Sequence, residues 1–143
     1  LIKTNEMKQV LVFASSRYQA DLIADKLGKN DVNARSIHSK KSQGYRKETL
    51  TNFKAGNLPV LVTTDLLSRG IDIEFLPFVI NYELPRSPKD FVHRIGRTGR
   101  AENPGTAFTF VMEDAEHHFK VIQKKMKQQV EVVDSKDIDL HGF

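Results

Sequence analysis

The sequence predicts an α/β fold, a three-layer αβα sandwich built on a mostly parallel central sheet. Apolar, β-branched runs such as Val10-Leu11-Val12-Phe13-Ala14 and Val60-Leu61-Val62-Thr63 are continuous rather than alternating, as expected of strands covered on both faces. Helical stripes of about 10 to 15 residues separate these runs, which calls for right-handed crossovers and a parallel sheet with helices on both sides. The 143 residues suffice for one such domain, with about two thirds of the unfolded surface buried and no need of disulfides or metal.

Residues 1–8 are polar and without a clear period, and are expected to be the lead-in segment of an interdomain linker; the domain proper is expected over residues 9–130. Its first strand is Val10 to Ala14. Ser16 to Gln19 then has the form of a capping box, and Ala20, Ile23 and Leu27 make a helical stripe that stops at Gly28. Ala34 to Ile37 is a second strand. It leads through His38-Ser39-Lys40-Lys41-Ser42 into a helix with Tyr45, Leu50 and Phe53 on one side, ended by Gly56. Pro59 opens the third strand, Val60 to Thr63, and Thr64 to Ile73 reads as a turn and short helix broken by Gly70. The fourth strand is Phe78 to Tyr82. After it, Ser87-Pro88-Lys89-Asp90 carries a helix start: a capping hydroxyl, proline at the first helical position and an acid behind them. Gly105 begins a fifth, alternating strand, Ala107 to Val111. A last helix starts near Asp114, with Phe119, Ile122, Met126 and Val130 inward and Lys124, Lys125 and Lys127 outward. From Glu131 periodicity fades, and residues 131–143 are expected to be a loosely held tail. In open parallel sheets ligands bind at the carboxyl ends of the strands. Each polar cluster follows a strand, so the chemistry is expected on one rim.

Composition narrows the function classes. No cysteine is present, which excludes disulfides and thiolate metal sites. The one pair of histidines, His117-His118, is adjacent, and neighbours on a helix point about 100° apart, so no zinc site and no resident metal is expected. No apolar run approaches the roughly 18 residues needed to span a bilayer, and no signal-peptide pattern opens the chain. The expectation is a cytoplasmic protein with no membrane partner, monomeric as a fragment. Net charge is +4 with a calculated pI of about 9.3, a mild excess that suits a polyanionic partner.

The densest charge lies in His93-Arg94-Ile95-Gly96-Arg97-Thr98-Gly99-Arg100. If the helix begun at Ser87 runs through it, His93, Arg97 and Arg100 fall within roughly a 60° arc, and Phe91 and Ile95 lie opposite. Such a face is either solvated or built to hold an anion. Gly96 and Gly99 each cost about 1 kcal/mol inside a helix, so their presence points to something approaching the backbone closely. The second dense stretch is Thr63-Thr64-Asp65-Leu66-Leu67-Ser68-Arg69-Gly70-Ile71-Asp72-Ile73. Hydroxyls and free backbone N–H groups where a strand meets a helix suit a phosphate oxygen; the alternative is an ordinary turn capped by Asp65.

The first of these stretches resembles, without interruption, motif VI of superfamily 2 helicases in its DEAD-box RNA helicase form, and the second is similar to motif V of the same family. Leu11 to Ser16 resembles motif IV, and Gln43-Gly44-Tyr45-Arg46 fits the Gln-x-x-Arg pattern of motif IVa. One departure is His38-Ser39, where the family often has His-Gly. The resemblance implies the second of two RecA-like domains. It places Arg97 and Arg100 as catalytic arginine fingers at the γ-phosphate of ATP, and Gly70 and Asp72 with them around the nucleotide, Asp72 at the ribose. It places Ser15, Arg46, Thr63 and Thr64 at RNA, and Arg69 and His93 toward the partner domain; Arg94 is either structural or interdomain. The chain has neither the Gly-x-x-x-x-Gly-Lys-Ser/Thr loop that cradles phosphates nor an Asp-Glu-Ala-Asp tetrad. The implied partners are therefore RNA and the protein's own N-terminal RecA-like domain, which would hold most of the ATP and its Mg2+. This fragment alone is expected to be inactive, and with that domain to close on ATP and RNA and split short duplexes. Two other readings remain: the same domain of a superfamily 2 DNA helicase or translocase, and a non-catalytic RNA-binding module.

Overall fold

A computed structural model describes residues 1–71, 73, 75–98, 105–126 and 131–134. Among these residues five strands are present: β1 (Val10–Ala14), β2 (Ala34–Ser36), β3 (Val60–Thr64), β4 (Phe78–Asn81) and β5 (Thr106–Thr109). They form one sheet in the order β2-β3-β1-β4-β5, and every pairing is parallel. The sheet is thus wholly, not mostly, parallel. The central strand is fully buried along its length, which accounts for its unbroken apolar run.

Alternation of side chains across the sheet divides the core. Val10, Val12 and Ala14 of β1 pack with Val60, Val62 and Ile80 under Ala20, Ile23 and Ala24, the inner stripe of α1 (Arg17–Lys29). Leu11 and Phe13 point the other way and pack with Leu61, Val79, Ile37 and Phe53; Phe53 belongs to α2 (Gln43–Lys54). Burial of side chains this size is worth about 1.5–3 kcal/mol each. The two helices therefore hold the sheet between them. A third cluster joins Phe91 of α4 (Pro88–Ile95) to Phe119 and Ile122 of α5 (Glu116–Met126).

Local signals explain the boundaries. Ser16, Ser42 and Ser87 cap α1, α2 and α4, each accepting the backbone N–H three residues on, which satisfies a donor with no partner inside the helix. Gly56, at φ 83°, takes the left-handed turn just beyond α2, a conformation that costs glycine little. Gly28 does not end α1, which continues to Lys29.

Two expectations about helices are corrected. The helix begun at Pro88 does not run through residues 93–100; it stops at Ile95, with Gly96 as its C-cap. The chain is drawn out of the helix by pairing elsewhere: the Leu76 N–H donates to the Arg97 carbonyl at 2.9 Å, and Leu76 and Thr98 form a parallel bridge. The last helix begins at Glu116 after a 3₁₀ turn at Glu113–Ala115, and is described as far as Met126. Residues 127–130, assigned to it from sequence, lie outside the described residues. At the other end, residues 1–8 do more than lead in. Met7 is buried in the α1-side core, with Leu1 and Ile2 packed against it.

Candidate functional site

Because all five strands run the same way, their carboxyl ends share one rim, and the segments after β1, β3 and β4 meet there. Arg94 fastens them together. Only 2% exposed, it donates Nε to Asp65 Oδ1 and Nη2 to Asp65 Oδ2, both at 2.7 Å, and Nη1 to the Glu83 carbonyl at 2.6 Å. Its guanidinium carbon lies 5.2 Å from the centre of the Phe13 ring. Asp65 opens α3 (Asp65–Ser68) directly after β3, Phe13 lies on β1, and Glu83 follows β4. A fork–fork pair of this kind fixes direction as well as distance. Buried and engaged within the domain, Arg94 takes the structural alternative rather than an interdomain one. Asp65 is thereby the arginine's partner and more than a helix cap.

Arg97 leaves the end of α4 and reaches over the loop that follows α3. Its Nη2 donates to the Ser68 carbonyl at 3.1 Å and its Nη1 to the Ile73 carbonyl at 3.2 Å. These acceptors flank the segment that holds Gly70 and Asp72. Among the described residues Arg97 has neutral hydrogen-bond partners, so its charge is oriented without being neutralised, and a guanidinium has more N–H donors than these two bonds use. Its side chain is half-buried. Gly70 is exposed, and among the described residues a Cβ built there would meet nothing nearer than the Leu67 carbonyl at 3.7 Å, so their packing does not require glycine at that position. At Gly96 the nearest atom is the helix's own Val92 carbonyl, 3.0 Å from a built Cβ; what approaches this glycine closely is its own helix end. Asp72, Gly99 and Arg100 lie outside the described residues.

The other predicted residues are distributed along the rim. Ser15, exposed after β1, donates its hydroxyl to the Glu83 carboxylate. Thr63 is fully buried, and its hydroxyl donates to the Thr64 carbonyl at 3.4 Å. Thr64 is half-buried at the N-cap of α3, and its side chain makes no capping hydrogen bond. Arg69, largely exposed, pairs with Asp90. Asp90 also accepts the Ser87 hydroxyl at 3.0 Å. Burial would raise the Asp90 pKa, but the Ser87 hydrogen bond and the Arg69 pair outweigh it and hold the carboxyl below its ordinary value. Arg69 thus ties the end of α3 to the start of α4, one turn from His93, which is exposed. Arg46 sits in the first turns of α2, half-buried, with its Nε enclosed and without a hydrogen-bond partner. What the rim offers chemically is a set of arginines and hydroxyls at strand ends, suited to phosphate oxygens.

The sequence profile of the helicase conserved C-terminal domain matches residues 1–102. The chain belongs to that family. Solved DEAD-box structures carry the same fold. A DEAD box protein from Methanococcus jannaschii superposes with a TM-score of 0.85 at 34% identity, over 93% of this chain and 36% of that one. The C-terminal domain of the DEAD-box protein Dbp5 gives 0.84 at 29%, over 92% and 77%. Among curated sequences, the pre-mRNA-processing ATP-dependent RNA helicase prp5 of Aspergillus niger is 43% identical over 87% of this chain and 10% of its own length. Eukaryotic initiation factor 4A-1 of Arabidopsis thaliana is 37% identical over 98% and 34%. The chain therefore spans a tenth to about a third of these two relatives, and it is the C-terminal, RecA-like helicase domain of a DEAD-box RNA helicase.

In this DEAD-box domain one cluster was not singled out from the sequence. Asp21 on α1 receives the Ser36 hydroxyl and His38 Nε2, the latter at 3.1 and 3.0 Å to its two oxygens, with Lys41 Nζ at 3.5 Å. The signal available was an acid next to the buried stripe of α1, opposite a histidine just after β2. Among the described residues no three of His, Cys, Asp and Glu gather to hold a metal ion, and no helix is long and apolar enough to cross a membrane.

Proposed function

We propose that this domain is the second half of an ATP-dependent RNA motor, completing a nucleotide site whose phosphate loop and Mg2+ belong to a first RecA-like domain. Arg97 and Arg100 serve as arginine fingers, Gly70 and Asp72 border the nucleotide, and Arg69 and His93 face the other domain. Ser15, Thr64 and Arg46 contact RNA, with Thr63 supporting Thr64 from beneath. The observation that carries this reading is Arg97, laid across the residue 68–73 segment by two neutral carbonyls and left with charge to spare. Phosphoryl transfer is catalysed by positioning and by neutralising charge that spreads over the γ-phosphate oxygens, and a planar, permanently protonated fork suits that task.

RNA would be held mainly by its sugars and phosphates, with little reading of sequence. ATP and RNA both favour the closed pair of domains, closure splits a short duplex, and phosphate loss reopens the cleft. A cytoplasmic setting belongs to the same proposal. The chain alone should hydrolyse ATP no faster than buffer. Supplied with the phosphate-loop domain of a DEAD-box relative, it should give turnover that rises with RNA. Robust RNA-stimulated hydrolysis by the chain alone would contradict the reading, as would no turnover from the assembled pair.

A further inference from the structure

Beyond the predicted contacts, the structure holds a polar network around the buried His38, open to solvent at Asp21, that leads into the loop in front of Arg46. His38 lies two residues beyond β2 and is 4% exposed. Its Nδ1 accepts the backbone N–H of Lys40 at 3.2 Å, and its own carbonyl accepts the N–H of Lys41 at 3.1 Å. A backbone N–H can only donate, so Nδ1 carries a lone pair; a carboxylate can only accept, so the proton sits on Nε2 and points at Asp21. Asp21 supplies that fixed acceptor. Burial would push its pKa up, yet the Ser36 hydroxyl, His38 and the Lys41 charge together hold it below its ordinary value, so it is ionised at neutral pH.

The turn so formed runs straight into α2. Lys41 lies 5.2 Å from the centre of the Tyr45 ring, Ser42 Oγ caps the helix by accepting the Tyr45 N–H at 3.1 Å, and Arg46 N–H donates to the Ser42 carbonyl at 3.0 Å. From Asp21 through His38 to Arg46 each link is a hydrogen bond or a packed pair. The side chain of His38 does for residue 40 what an asparagine does in an Asx turn, accepting the N–H two residues on. Glycine would leave this loop slack at residue 39, and serine stands there.

We infer that His38, oriented by Asp21, is a positioning residue for RNA: it sets the His38–Lys41 turn and thereby aims Arg46 at a phosphate. The inference rests on the reading of Arg46 as an RNA contact. It is tested in the protein that carries both RecA-like domains, using a single-stranded oligouridylate, by measuring the RNA concentration that half-saturates ATPase stimulation alongside KM for ATP and kcat at saturating RNA. His38→Ala should raise the half-saturating RNA concentration about tenfold, the scale of one charge-assisted phosphate contact, with KM for ATP and kcat within about twofold. His38→Asn keeps an acceptor for the Lys40 N–H and should recover most of the loss. If His38→Ala does not fold, His38→Gln takes its place, because it can keep the Asp21 bond while giving up the Lys40 acceptor, and the same loss is expected. Unchanged RNA half-saturation in the folded variant overturns the inference, and so does an equal fall in kcat and ATP affinity that asparagine fails to reverse. Arg46→Ala separates the two ideas. If it leaves RNA half-saturation unchanged, the RNA reading of α2 falls and this inference falls with it; if it weakens RNA while His38→Ala does not, only the positioning role is lost.

Discussion

At the scale of single residues, Arg94 and Arg97 are three positions apart and meet opposite fates. Arg94 is sunk among Phe13, Asp65 and Glu83, whereas Arg97, only half-buried, is held by the carbonyls of Ser68 and Ile73. Removing one member of a buried ion pair leaves the other uncompensated, at a cost of about 3–5 kcal/mol. Asp65 retains some contact with water, which puts Arg94→Ala near the lower end, about 3 kcal/mol, by urea denaturation. A loss below about 1 kcal/mol would show that the pair is not what fastens the strand ends. The sequence could narrow Arg94 only to a structural or interdomain role. Its partner is 29 residues away, and the pairing exists only once the crossover from β3 to β4 has brought Asp65 under α4. Thr63 and Thr64 illustrate a related point: two adjacent hydroxyls look alike in sequence, but on a strand they face opposite sides, and Thr63 faces the core.

At the scale of elements, hydrophobic runs and caps were legible and the ends of elements less so. Serine caps and a proline at the first helical position announce α1, α2 and α4, because those signals are local. The end of α4 is not local. Helical geometry would have carried the chain on past Ile95, but the Leu76 pairing with Arg97 and Thr98 turns it out at Gly96, so the single charged helix face expected from His93, Arg97 and Arg100 is not formed as drawn. The α4 start also makes a prediction about pH. Asp90 has its folded pKa held below the unfolded value of 3.8, so its contribution is complete above that pH and is lost as pH falls through the lowered folded value. Asp90→Asn should therefore be less stable than the parent protein at pH 7, and the difference in melting temperature should shrink as pH drops below about 4. A gap that stays constant or widens on acidification would contradict the assignment of Ser87 and Arg69 as the groups that hold the ionised form.

At the scale of the whole molecule, a parallel sheet delivers every strand's carboxyl end to one side, so topology alone sets the rim; what matters for its chemistry is where Arg97 is held. The sandwich was legible because continuous apolar strands leave little choice of architecture. The polar network of Asp21, Ser36 and His38 was not, since it joins α1 to the end of β2 and the loop after it, and the contact exists only once the chain has folded. The account stands on Arg97 acting on a nucleotide delivered by another domain. The measurement that tests this most directly is single-turnover ATP hydrolysis at saturating RNA in the two-domain protein, comparing Arg97→Ala with the parent and checking the fold by circular dichroism. The account predicts a fall of about 10³ or more in the rate with the fold intact; a fall of less than about tenfold in a folded variant would contradict it.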